Sequence, residues 1–187
     1  MIDLNGSFGQ IVKANTILSH IENGAPKAIN NALNRTIDGV RTDVARKITK
    51  MYDIKMTDVR AGMKVRKSTM ATLRASVNGA GSPIPLIKFR VTPNKPGYQA
   101  PGTVLRASVK RSGGKPIPDA FVAKMSNGHI GVFERSGKAS KPIEQLYGPA
   151  IPQMMNEANI QKEVMTGAES RFEKRLDHEI AYLLGKE

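Results

Sequence analysis

The sequence has no cysteine and no tryptophan, three histidines, and only five phenylalanines and four tyrosines in 187 residues. Without cysteine there are no disulfides, no thiolate zinc sites and no cysteine nucleophile, and the chain suits a reducing compartment such as a cytoplasm. The nine Phe and Tyr do not interleave with basic positions, which disfavours a base-stacking platform for single-stranded nucleic acid. Nowhere does an apolar run approach the roughly 18 residues that span a bilayer, so no membrane partner is expected. The N-terminal stretch MIDLNGSFGQIVKAN carries Asp3 and lacks the basic start and apolar run of a signal peptide.

What is present reads as a globular chain. Hydrophobic residues make up 40% and charged residues 24%, and the length suits a single domain with its own core. The net charge of +13 is unevenly spread. Residues 51–141 hold 17 basic and four acidic side chains, whereas residues 142–187 hold five and eight. The cationic middle attracts a polyanion or an acidic protein surface.

Helical periodicity marks both ends. Ile11, Ala14, Ile17, Leu18 and Ile21 form a short stripe closed by Asn23-Gly24. From Pro26, the residues Ile29, Leu33, Ile37, Val40, Val44, Ile48 and Met51 predict a helix of about 25 residues with a polar outer face and a weak point at Gly39. Met155, Ala158, Met165, Ala168, Phe172, Leu176, Ile180 and Leu183 predict a second long helix ended by Gly185, with Gly167 as a dividing point and acidic residues outside. The order is 1–51 helical, 52–68 a flexible basic elbow with a short helix capped by Thr57, 69–136 an antiparallel sheet, and 149–185 helical.

Between the helices the period drops to two. Leu73, Ala75 and Val77, then Ile87, Phe89 and Val91, then Leu105, Ala107 and Val109 alternate with polar residues, many of them Arg or Lys. These strands predict one buried and one cationic face. The stretch 92–103, rich in Pro and Gly, reads as an exposed loop. Residues 118–137 form a hairpin signal at Asn127-Gly128, read as a two-residue type I′ turn. That register pairs Val122 with Phe133 beside Lys124 and His129, and places Phe121, Ala123, Met125, Ile130 and Val132 on the opposite face. Apolar residues on both faces make Val122 and Phe133 the expected protein interface.

No catalytic pattern emerges. Gly-x-Ser-x-Gly and phosphate-loop motifs are absent, and GAGSPIP reads as a turn. His129 and Glu134 fall on opposite faces of one strand, which spoils a cluster with Asp119, and His20 and His178 lack a ligand four residues away. Asp53, Asp58, Asp119 and Glu134 are too few and scattered for a metal-dependent nuclease. Neither a metal nor another cofactor is expected. Arg60, Lys64, Arg66 and Lys67 on the elbow, with Lys110 and Arg111 at the sheet edge beside Lys115, are the candidate contacts for a phosphate backbone or an acidic partner.

The succession PKAINNALNRTIDGVRTDVARKI, DIKMTDVRAGMKVRKST, SPIPLIKFRV, IPDAFVAKMSNGHIGVFERSG and KPIEQLYGPAIPQMM resembles the minor tail protein Z family of tailed bacteriophages over residues 25 to 160. The Pro-x-Ala-Phe hairpin with its Gly-x-x-Val-Phe-x-Arg return and the following Pro-Ile-x-x-Leu-x-Gly-Pro carry most of the likeness. The resemblance implies a structural, non-enzymatic virion protein, made in the bacterial host cytoplasm, that completes the tail at its head-proximal end. It implies a hexameric ring of identical chains beside the tail terminator, tail tube and head connector, with the end of the packaged DNA as a further candidate partner. The fold expected is α+β, with an antiparallel sheet of about five strands flanked by a long N-terminal helix and a C-terminal helix. The rival reading is a non-sequence-specific DNA-binding protein associated with packaging.

Overall fold

The most regular apolar stripe in the sequence becomes its longest helix. In a computed structural model, residues Gly24–Met51 form 28 residues of continuous helix, about 42 Å long. Ile29, Leu33, Ile37, Val40, Val44 and Ile48 are all sealed from solvent, and Ala28, Ala32 and Ala45 beside them widen the buried face. Each such aliphatic side chain contributes about 1.5–3 kcal/mol on burial. The structure describes residues 1–6, 8–97, 103–137 and 141–185; part of the loop read at 92–103 lies outside them.

In chain order the elements begin with β1 (Ile2–Leu4), α1 (Phe8–Ile17), α2 (Gly24–Met51), α3 (Met56–Ala61), β2 (Met63–Arg66) and β3 (Ala75–Gly79). There follow β4 (Ile84–Pro85), a 3₁₀ turn (Leu86–Lys88), β5 (Arg90–Thr92), β6 (Leu105–Ser108), β7 (Lys115–Ile117), β8 (Ala120–Lys124) and β9 (Ile130–Arg135). The last are β10 (Ile143–Gln145), β11 (Tyr147–Gly148), α4 (Ile151–Met155) and α5 (Ala158–Leu184). The α+β class with a long helix at each end is as expected. In place of one sheet of about five strands, the described residues form four small antiparallel sheets, ordered β1-β3-β2, β10-β9-β8, β11-β4 and β5-β6-β7.

These elements group into two compact units. The first comprises residues Met1–Ala45, Met63–Ala80 and Met155–Glu187; the second comprises Arg46–Gly62 and Gly81–Met154. In the first unit α5 runs unbroken through Gly167 and ends at Gly185. Its buried stripe is Ile160, Val164, Ala168, Phe172, Leu176, Ile180 and Leu183, so the stripe enters through Ile160 and Val164 rather than Ala158 and Met165. Polar residues of α2 hold it there. Arg171 donates to Asp43 at 2.7 Å, and the buried Glu179 carboxylate accepts from the Asn31 amide at 3.0 Å and lies 3.3 Å from Arg35 Nε. Lys13 of α1 donates to Asp177 at 2.8 Å, and that hydrogen bond raises the lysine above its ordinary pKa.

The segment read as a flexible elbow contains regular structure. It begins with the 52–54 stretch, which bridges to Lys110 and Phe89 within the second unit, and continues as α3. Helix α3 starts at Met56 after Lys55, with no side-chain cap, so Thr57 does not cap it. Strand β2 then pairs with β3 in the first unit. Beyond β2, Asn34 grips the Ser68 backbone at two points, accepting from its N–H at 2.7 Å and donating to its carbonyl at 3.1 Å. An amide side chain thereby supplies the pairing that a neighbouring strand would otherwise give.

In the second unit the hairpin forms where the sequence places it, but with its register shifted by one residue. Val122 lies opposite Val132, and Phe121 opposite Phe133. The reason is the turn. Met125 donates to His129 across a three-residue loop, Gly128 donates back to Met125, and Gly128 alone has positive φ, at 83°. This is a type I turn closed by a left-handed glycine, a competing use of Asn-Gly, with Asn127 Oδ1 accepting from His129 N–H. A one-residue slip reverses the faces. Ala120, Val122 and Val132 are buried on one side, while Phe121 and Phe133 meet on the other at 6.3 Å between ring centres.

Candidate functional site

The six predicted cations divide between the two units. In the first, Lys64 and Arg66 alternate along β2 with the buried Met63 and half-buried Val65, so strand geometry turns both outward, opposite Asn78 and Ser76. Neither has an ion-pair partner among the described residues. Lys67 does, at 3.1 Å from Asp38, with both side chains more than half exposed.

In the second unit, Arg60 is exposed on α3. Lys110 places its ammonium 5.5 Å from the centre of the Tyr52 ring. Arg111 donates from Nε to the Thr49 carbonyl at 2.9 Å, and its backbone N–H donates to Met51. A guanidinium at the Thr49 carbonyl complements the negative end of α2. Arg111 therefore has a structural task in addition to its charge.

The structure adds two arginines to this group. In the β5/β6 pair, Arg90 faces Ser108, Val91 faces Ala107 and Thr92 faces Arg106. Val91 and Ala107 are buried, which turns Arg90, Thr92, Arg106 and Ser108 to the other side. With Arg111, Asp53, Gly113 and Gly114 they line an open depression of about 430 Å³. The guanidiniums of Arg90 and Arg106 have neither a hydrogen bond nor an ion pair among the described residues. The sequence signal for them is the alternation in Arg90-Val91-Thr92 and Leu105-Arg106-Ala107-Ser108; what it lacks is the pairing that joins the two stretches.

The expected interface side chains lie elsewhere. Val122 and Phe133 do not face each other, and both are closed over within this chain, at 2% and 5% exposure. Phe133 is covered by its own neighbours: its ring crosses Gly131, where a Cβ would stand 3.0 Å from ring carbons, and His129 meets it edge-on. Arg135 lies over Phe121 at 4.6 Å. Filling of that second face by the chain itself accounts for apolar residues on both sides of the hairpin.

His129 lies 3.2 Å from Gln145 Oε1 and makes no cluster with Asp119 or Glu134. Among the described residues there is no group of three or more His, Asp or Glu side chains suited to a metal ion, and no described helix is long and apolar enough to cross a membrane.

No curated protein and no solved structure matches the chain significantly. A model of the prophage minor tail protein Z family matches residues 11–186, extending from α1 to the end of α5. The whole second unit, with its cationic β5/β6 face, and most of the first unit fall within the match, while β1 precedes it. The chain therefore belongs to the prophage minor tail protein Z family, whose members have a structural role in phage tails.

Proposed function

We propose that the protein completes the phage tail at its head-proximal end, as a ring of identical subunits beside the tail terminator and around the DNA path. The observation that carries this reading is the family match over nearly the whole chain. The role is structural rather than catalytic, and its place is the virion, against the tail tube on one side and the head connector on the other.

The charge layout supports assembly. Away from β5 and β6 the second unit exposes Arg60, Lys115 and Lys124, whereas one face of α5, flanked by Lys174 and Arg175, exposes Glu169, Glu173 and Asp177. Contact between the cationic unit of one protomer and α5 of the next would orient subunits and speed their encounter more than it would tighten them. Ring closure then multiplies one modest basic face into an annular field for a polyanion passing through the centre. Lys64, Arg66, Lys67, Arg60, Lys110 and Arg111 are the candidate contacts. An interface through the hairpin would use its exposed members, such as Ile130, with Val122 and Phe133 supporting from beneath.

Antibody-labelled electron microscopy of intact particles tests the location, and the mass of the purified assembly tests the ring. Label at the junction of head and tail, together with a sixfold mass, is the expected result. Label along the tail shaft or at its distal tip would reject the placement. The specific observation favouring the rival, a protein that binds DNA outside any particle, is the unpartnered Arg90 and Arg106.

A further inference from the structure

We propose that the outward face of β5 and β6, completed by Arg111, is a seat for the phosphate backbone of duplex DNA. This deepens the DNA-path part of the reading above and rests on it for the identity of the polyanion; the site itself rests on side chains.

Three guanidiniums line one depression with a single carboxylate, Asp53. Guanidinium stays charged at all working pH values and offers paired N–H donors that match phosphate oxygens. Arg111 uses Nε on Thr49, and its terminal nitrogens have no partner among the described residues. Thr92 is exposed between Arg90 and Arg106 and supplies a hydroxyl donor. The Ser108 hydroxyl is already donated to the Lys110 carbonyl at 2.9 Å, so the working donors are the arginines and Thr92. Gly113 and Gly114 add no side chain to the lining.

The composition of the lining selects the partner. Arg, Thr, Ser, Asp and Gly are its only residue types, with no apolar or aromatic side chain among those described. Protein interfaces gather their affinity around buried aromatic or aliphatic anchors, and single-stranded nucleic acid needs rings to stack on. A lining of arginines and hydroxyls without either contacts sugar-phosphate backbone, and it does so without reading sequence.

The experiment measures binding of the purified full chain to a short random-sequence duplex across a salt series, at protein concentrations spanning its monomeric and assembled forms. The variants are Arg90→Gln with Arg106→Gln, the charge-retaining Arg90→Lys with Arg106→Lys, and an equal charge loss at exposed positions of the first unit, Lys27→Gln with Lys162→Gln. Expected are linear loss of log affinity with log salt for the native chain and a slope smaller by about two for the glutamine pair at β5 and β6. The lysine pair keeps most of the slope, the Lys27/Lys162 control keeps nearly all of it, and Asp53→Asn binds tighter. Thermal melting of each variant confirms folding, and the lysine pair reports on the site even if the glutamine pair unfolds. Equal slopes for the glutamine pair and its control would overturn the site. So would a native chain that ignores duplex in every state yet binds polyglutamate, a result that leaves tail completion to be judged by particle labelling alone.

Discussion

Gly39 of α2 lies directly beneath Arg171 of α5: a Cβ built at position 39 would come within 2.6 Å of Arg171 Nη1 and 3.0 Å of its Cδ. The glycine that weakens the helix by propensity is the point at which the arginine crosses to reach Asp43 at 2.7 Å. Gly39→Ala alone should gain about 1 kcal/mol of helix propensity and lose a similar amount by displacing the guanidinium from its partner. In an Arg171→Ala background the gain should appear undiminished. A double-mutant cycle followed by denaturant unfolding should therefore show coupling of about 1 kcal/mol, and strict additivity would contradict this packing.

Arg35 and Lys67 are about equally exposed cations with unequal partners. Arg35 serves the buried carboxylate of Glu179, whose side chain is 7% exposed; Lys67 serves Asp38 in open solvent. Arg35→Ala should cost about 1–3 kcal/mol because it leaves a buried charge with only the Asn31 amide. Lys67→Ala should cost under about 1 kcal/mol. Urea midpoints that rank the two in the reverse order would count against the Glu179 arrangement.

Gly148 in β11 packs against the Phe89 ring, with a built Cβ only 2.5 Å from a ring carbon. Phe89 is itself buried, so the ring has nowhere easy to go. Gly148→Ala should destabilise by about 1–3 kcal/mol, and Phe89→Leu should make the same change less costly. Thermal unfolding of the four proteins measures it.

The hairpin turn makes a residue-specific forecast. Only Gly128 has positive φ there, so Gly128→Ala should cost about 1 kcal/mol. Asn127→Ala should cost no more than its one hydrogen bond to His129, about 0.5–1 kcal/mol. Equal and larger penalties at both positions would indicate a two-residue turn instead.

Much of this architecture was legible in the pattern of residues because it rests on local periodicity. The stripe from Ile29 to Ile48 and that from Ala168 to Leu183 each need only one helix and one buried side, and both appear as written. The hairpin was legible too, but Asn-Gly serves two turn geometries that differ by one residue, and the choice between them decides which face Phe133 occupies. Strands β1, β7, β10 and β11 hold only two or three residues each, too few to show a period of two. Division into four sheets depends on which distant strands pair, as in Ile2 opposite Val77 or Tyr147 opposite Pro85. Local alternation contains no such information. The same limit hid the arginine seat: Arg90 and Arg106 each looked like an ordinary outward strand residue until pairing set them on one surface.

The placement of this protein at the end of the tail is tested most directly by phage particles made without it. Lysates of a deletion mutant, imaged by electron microscopy and then mixed with the purified protein, give the measurement. Filled heads and full-length tails that remain unjoined or uninfective, and regain infectivity on addition of the protein, are the predicted result. Joined, fully infectious particles formed in its absence would contradict the account.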